Sequence, residues 1–506
     1  MWQADLGNGK YRNPILYADY SDPDAIRVGE DYFMIASSFC NAPGLPILHS
    51  KDLVNWKVVN YALDELPEFR YRNPIHGCGV WAPAIRYHEG TYYICFPMPD
   101  EGIYMTTTKD PFGKWSKPVN IRPGAGWIDP CPFWDDDGKA YLVAGVAKSR
   151  IGYKSVLHMV EMQPDGMGLI GEEVKIFDGN ENDQVTIEGP KMYKRNGWYY
   201  IFIPAGGVEY GWQTVLRARN VYGPYEEKIV MHQGASSING PHQGAWVTAP
   251  DGSDWFLHFQ DRFELGRVVH LQPMCWHSDW PFIGLEQNGD GIGEPVTEWD
   301  CPKGEAGPGL QIGDSFTNGK PGLQWQWQAN PQPEAWLRPV AGDALHLVCG
   351  ASGSLWRQPN VLSQMLPAAD FTANVTLGLA GCGAGAKVGL SVMGQKYSAI
   401  ELCRTAQGCT VQLVQGMVKD LASTGDAEET ILAEKMVDTD EITVTMKITA
   451  AKQVQYALLA ADGTAVPLGG AQPVAKATWT GARLALYARG GTKGDAACIK
   501  QLNITF

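Results

Sequence analysis

Five times in its first 300 residues the chain repeats one pattern: a short apolar strand, a glycine turn and an aromatic second strand. The copies read DAIRVGEDYFMIA from Asp24, PAIRYHEGTYYICF from Pro83, PFWDDDGKAYLVA from Pro132, KMYKRNGWYYIFI from Lys191 and VTAPDGSDWFLHF from Val247. Each carries a glycine (Gly29, Gly90, Gly138, Gly197, Gly252) where a hairpin needs a backbone of positive φ, which glycine adopts without steric cost. Runs such as Tyr199-Tyr200-Ile201-Phe202-Ile203 have strand composition and no helical period. A unit of about 50 residues holding about four strands is the mark of a β-propeller, so five copies predict five blades. The units open at Asp22-Pro23, Trp81-Ala82-Pro83, Asp129-Pro130, Glu188-Gly189-Pro190 and Gly244-Ala245. Innermost strands line a propeller's axis, so Asp22, Asp129 and Glu188 are expected at one mouth and, by this reading, in one register of three blades.

At 506 residues the chain is long for one domain. The segment from Trp280 to Pro295 closes the repeats, and a Gly/Pro-rich stretch follows from Cys301 to Gly309. Beyond it aromatic density falls and alternating strands take over, as in 371–377 and 441–446, which predicts an antiparallel β-sandwich. The expected architecture is all-β with little helix: a five-bladed propeller over 1–300, a linker over 301–312, and a β-sandwich of jelly-roll or concanavalin-like type over 313–506.

The net charge of −14 argues against nucleic acid or an anionic membrane as partner. No run of 18 apolar residues is long enough to span a bilayer. The start Met1-Trp2-Gln3-Ala4-Asp5 does not read as a signal peptide, and the 11 cysteines are scattered, with Cys95, Cys349 and Cys403 inside apolar strands. Reduced thiols in a cytoplasmic protein are therefore expected, unless a leader has been trimmed; a homo-oligomer is left open. The run Asp135-Asp136-Asp137-Gly138 lacks the ligand spacing of a calcium loop and reads as a hairpin turn.

Hydrolysis of a glycosidic bond with inversion needs a carboxylic acid to protonate the leaving oxygen. It also needs a carboxylate about 6.5–9.5 Å away to activate water. A third carboxylate nearby raises the acid's pKa by like-charge repulsion. An Asp before Pro is ordinarily a turn residue. Three acids at the openings of three repeats are a different matter.

The motifs Asp22-Pro23-Asp24-Ala25-Ile26-Arg27-Val28, Ile128-Asp129-Pro130 with Asp137-Gly138-Lys139, and Ile187-Glu188-Gly189-Pro190 resemble the three acid motifs of glycoside hydrolase family 43. So do Ser50-Lys51-Asp52-Leu53, Val80-Trp81-Ala82-Pro83 and the closing 291–296 segment, in the same order. The tail, with Asp314-Ser315-Phe316, Trp325, Trp327 and Trp336, resembles more loosely the sandwich of the family's xylosidase and arabinofuranosidase branch. That resemblance implies Asp22 as general base, Glu188 as general acid and Asp129 as the residue that tunes and orients the acid. It implies that Arg267 reaches toward the acid and the sugar, and that His242 lies on the axis beneath the site, where a calcium ion held through water is one reading and a hydrogen-bonded core histidine the other. Phe39 and Trp81 are candidate walls for the sugar, with Trp127 and Trp212 as rim candidates. A loop from the tail is expected to close one end of the groove into a pocket.

The function expected is an exo-acting, inverting glycosidase that releases terminal α-L-arabinofuranosyl units from hemicellulose oligosaccharides, with β-D-xylosyl release as the alternative. No cofactor is required by that chemistry. A fructosidase on a related fold would show Asp-Pro-Asn-Gly, Arg-Asp-Pro and Glu-Cys where this chain has Asp22-Pro23-Asp24-Ala25, Ile128-Asp129-Pro130 and Glu188-Gly189. A non-catalytic sugar-binding propeller has no reason to keep three acids on its axis.

Overall fold

A computed structural model describes residues 2–351, 353–419 and 426–506. Five four-stranded antiparallel sheets follow one another in chain order, each built from four consecutive strands. Their innermost strands are Asp24–Val28, Ala84–His88, Trp127–Trp134, Lys191–Arg195 and His242–Thr248. The five repeats are thus five blades, and the turn glycines carry φ of 63°, 76°, 83°, 69° and 84° in chain order. At four of the five a Cβ would meet nothing within 4 Å, so glycine is needed there for its conformation and not for space. In the second and fourth blades the preceding residues, Glu89 and Asn196, are also left-handed, which gives the twist that suits a tight hairpin.

The ring closes by an overlap of its two ends. Lys10–Arg12 pairs with Glu298–Asp300, and Leu16 exchanges backbone bonds with Val269 in the fifth blade. Asn13 ties the crossing by donating to the carbonyls of Leu271 and Val296 and accepting the Leu271 N–H. Apolar faces of adjacent blades pack in continuous clusters, such as Phe33, Ile47, Ile94 and Phe96 between the first two.

The C-terminal unit is a sandwich of two seven-stranded antiparallel sheets. One is centred on Arg483–Arg489, Lys387–Met393 and Lys396–Thr405, the other on Ala496–Thr505, Phe371–Gly378 and Glu441–Thr449. Its core also takes in Leu265 and Val268 of the propeller, so the two units share apolar contact. Docking is hydrogen-bonded too: Ala42 and Trp327 exchange backbone bonds, and the Asn330 side chain bonds both backbone groups of Leu66. Trp325, Trp327 and Trp336 are buried in this packing. Among the described residues helix is confined to single turns, Lys148–Ile151 and Pro333–Trp336 being the α-helical ones. No described helix is long and apolar enough to cross a membrane.

Candidate active site

Asp22, Asp129, Glu188 and Arg267 line one small pocket of about 100 Å3, walled by Phe39 and Trp81 and completed by Trp479 of the sandwich. The carboxylates come from the openings of the first, third and fourth blades. Their registers are not identical, which corrects the expectation from sequence. Asp24, Ala84, Cys131 and Lys191 hold equivalent places in their blades, pairing with Ile35, Cys95, Val143 and Phe202 of the second strands. Two residues earlier stand Asp22, Ala82, Asp129 and Gly189. Asp22, Asp129 and Gly189 share left-handed backbone, with φ of 55°, 55° and 58°. Glu188 therefore sits one step before the aspartates, level with Trp81 and, in the fifth blade, His242. The cause is steric: a Cβ on residue 189 would lie 2.4 Å from Gln243 Cγ, so glycine holds that place and the acid falls to its neighbour.

Each carboxylate has its own surroundings. Asp22 accepts the Ser37 hydroxyl at 2.6 Å on one oxygen and the Arg267 guanidinium at 2.8 Å on the other. Asp129, 3% exposed, accepts the Gly189 N–H at 2.7 Å and the Gln243 amide at 3.1 Å, both on Oδ2. Burial, and then the Asp22 charge, push the Asp129 carboxyl well above the usual range. Glu188 is raised as well, first by burial and next by the charge of Asp129, against a smaller pull downward from Arg267. With Asp129 opposed by the Asp22 charge and Glu188 by that of Asp129, the three carboxyls cannot all ionise easily, so the site holds a proton into the neutral range.

Arg267 faces the pocket beside the acid, and its side-chain partner is one the sequence did not point to. Its hydrogen bond goes to Asp22, and it acts on Glu188 through space alone. His242 lies beneath the acid, with Nε2 at 3.2 Å from Glu188 Oε1. Burial pushes its imidazole down to about 3, so the contact is that of a neutral ring and not an ion pair. Among the described residues no group of three or more His, Cys, Asp or Glu side chains is arranged to hold a metal. Calcium prefers oxygen ligands, and one buried neutral imidazole does not make such a site, so the residues here do not fit a calcium ion and His242 is a core histidine beneath the acid.

Phe39 and Trp81 face the pocket with ring centroids 6.5 Å apart, and Trp81 is pinned by a bond from its indole N–H to the Gly77 carbonyl. Trp127 and Trp212 are not part of it. Trp127 is 3% exposed and packs against His158 and the Arg122 guanidinium, while Trp212 bonds Gln184. Trp479 went unnamed from sequence, although a closing loop from the tail was expected. It stands edge-on to Trp81 at 5.9 Å and is 53% exposed. A wider basin of about 430 Å3 opens beyond the acids, lined by Glu188, Arg267 and Trp479 and by Lys148, Lys154 and Lys476. Gln243 and Ser37, which set Asp129 and Asp22, were also missed; a polar residue at a strand opening is too common to single out.

Comparison with known proteins agrees with this geometry. A family model described as "Glycosyl hydrolases family 43" matches residues 11–281, and one described as "Beta xylosidase C-terminal Concanavalin A-like domain" matches 313–502. The chain is 42% identical over 403 residues to a protein of Xylanibacter ruminicola named "Putative beta-xylosidase", covering 79% of this chain and 74% of that one. It is 29% identical to the "Non-reducing end alpha-L-arabinofuranosidase BoGH43B" of Bacteroides ovatus, covering 87% of each. In fold it resembles the crystal structure of a family 43 protein of Bacillus licheniformis, with a TM-score of 0.84 at 24% identity over 98% of this chain and 99% of that one.

Proposed function

The chain belongs to glycoside hydrolase family 43, and from that premise we propose that it is an exo-acting glycosidase removing terminal α-L-arabinofuranosyl units from arabinoxylan- or arabinan-type oligosaccharides. Hydrolysis proceeds with inversion. The observation that carries the reading is the convergence of three carboxyls and Arg267 in a pocket closed by Trp479. A small closed pocket takes a chain end, whereas endo cleavage needs an open cleft.

In this reading Glu188 enters protonated and gives its proton to the glycosidic oxygen as the bond to the anomeric carbon breaks. Asp22 takes a proton from the water that attacks the opposite face of that carbon. Ser37 and Arg267 fix the two oxygens of Asp22, so its orientation is set before substrate arrives. Asp129 keeps Glu188 protonated by its charge and holds the Gly189 backbone beside it. Phe39 and Trp81 pack against the C–H faces of the sugar.

A second reading, release of terminal β-D-xylosyl units, is favoured by the naming of the 42% identical relative. Turnover of 4-nitrophenyl α-L-arabinofuranoside against the β-D-xylopyranoside separates the two by their kcat/KM ratio. Absence of turnover on both, with sugar still bound, would favour a binding module instead.

A further inference from the structure

The basin beside the acids carries a charge at odds with the rest of the molecule. In a chain of net charge −14, Lys148, Lys154 and Lys476 all line the wider cavity, which shares Trp81, Glu188, Arg267 and Trp479 with the small pocket. They come from three separate places: the helical turn Lys148–Ile151, the loop that follows it, and the sandwich loop that delivers Trp479. Lys154 donates to the Thr186 hydroxyl at 2.8 Å, and Lys476 lies 5.8 Å from the Phe263 ring centre. Among the described residues none of the three forms an ion pair with a carboxylate. The acids facing the same space are Glu188, held towards its neutral form, and Asp261, which accepts the backbone N–H of Phe263. Arg267 is already taken up by Asp22. Three ammonium groups against the single carboxylate of Asp261 leave the cavity net positive, and that excess focuses a positive potential beside Glu188, where the leaving part of the substrate lies in this reading.

We propose that this basin binds an aglycone bearing a uronic-acid carboxylate, so that the enzyme prefers acidic oligosaccharides, with the charged substituent on the sugar next to the cleaved bond. The inference rests on the exo-glycosidase reading. Neutral hydroxyls need no such arrangement, since uncharged sugars are bound by aromatic faces and neutral donors or acceptors. A carboxylate is matched by ammonium groups that surround it without requiring one fixed geometry.

The test compares a neutral oligosaccharide with the same oligosaccharide carrying a glucuronosyl substituent on that sugar. The acidic substrate is expected to show a kcat/KM higher by roughly tenfold at low salt, an advantage that shrinks as ionic strength rises. In a Lys148→Gln/Lys476→Gln double variant, whose altered side chains are both exposed, the acidic-to-neutral ratio should fall towards one. A ratio near or below one in the unaltered enzyme, at every salt concentration, overturns the proposal while leaving the glycosidase reading intact. Stimulation of neutral turnover by free glucuronate, with no preference for the linked form, would also overturn it and assign the basin to a free anion. Failure to cleave either substrate would overturn the exo-glycosidase reading itself.

Discussion

Asp19 of the propeller accepts the backbone N–H of Gly481, in the sandwich, at 2.8 Å. Its other oxygen accepts the N–H of Arg267 at 2.8 Å and the Ser21 hydroxyl at 3.0 Å. One buried carboxylate therefore joins the strand that carries the guanidinium of the pocket to the loop that carries Trp479. The approach is tight: a Cβ on Gly481 would lie 2.5 Å from the backbone of Leu265 and Gly266. The next residue, Ala482, extends the seam by donating to the Glu264 carbonyl.

Replacing Asp19 by alanine should loosen the pocket and the domain seam together. Three donors lose their acceptor, two of them backbone groups in a buried interface. Burial already pushes the Asp19 carboxyl up, so its removal also relieves a desolvation penalty. The net cost is about 2 kcal/mol, less than the sum of three charge-assisted bonds. The expected outcome is a lower Tm together with a fall in kcat/KM. Gly481→Ala should reproduce the kinetic defect by displacing Trp479 without removing a charge. Unchanged melting and kinetics in both variants would show that the seam does not set the site.

Glu188→Gln and Asp22→Asn should separate by leaving group. The first removes the proton donor, so cleavage of natural linkages should fall by about 100- to 10,000-fold while aryl glycosides with acidic leaving groups are largely spared. The second removes the acceptor for the water's proton, so every substrate should suffer. Kinetics on an aryl glycoside and on an oligosaccharide, for both variants, check the pattern. Full activity of Glu188→Gln on an oligosaccharide would mean that another group is the acid.

Trp479→Ala should leave the fold nearly unaltered, because the side chain is half exposed and its packing partner in the pocket is Trp81. Loss of one aromatic wall should raise KM for oligosaccharides roughly tenfold, equivalent to about 1.4 kcal/mol. A 4-nitrophenyl glycoside, with its smaller leaving part, should be affected less. Equal KM changes on both substrates would place Trp479 at the terminal sugar alone.

The parts of this arrangement that were legible in the sequence are those the chain repeats. Five glycine turns gave the blade count because each is a local requirement of one hairpin, satisfied within a few residues. The three acids stood out for the same reason, as variations on one opening. The one-step offset of Glu188 was hidden because it follows from a contact between Gly189 and Gln243, in different blades. Trp479 was hidden for a related reason: the residues around it look like any surface loop, and its place in the pocket comes from the docking of one domain on another. Trp127 misled in the opposite direction. It opens a blade's inner strand, yet its ring turns outward into the packing between blades.

The strongest test of the electrostatics is Asp129→Asn. Glu188 works only while protonated, so its ionisation sets the basic limb of the pH–rate profile on substrates that need an acid. Burial raises that carboxyl most, and the charge of Asp129 is the next contribution. An asparagine keeps the size of the side chain and an oxygen facing the Gly189 N–H, while the charge is lost. Without that charge the ionised form of Glu188 is less opposed, its pKa falls, and the proton is lost at lower pH. The basic limb of kcat/KM should therefore move down by about one unit on an oligosaccharide. On an aryl glycoside whose departure needs no proton, the limb should hardly move. A shift upward, or the same shift on both substrates, would show that Asp129 acts by some means other than the field it places on Glu188.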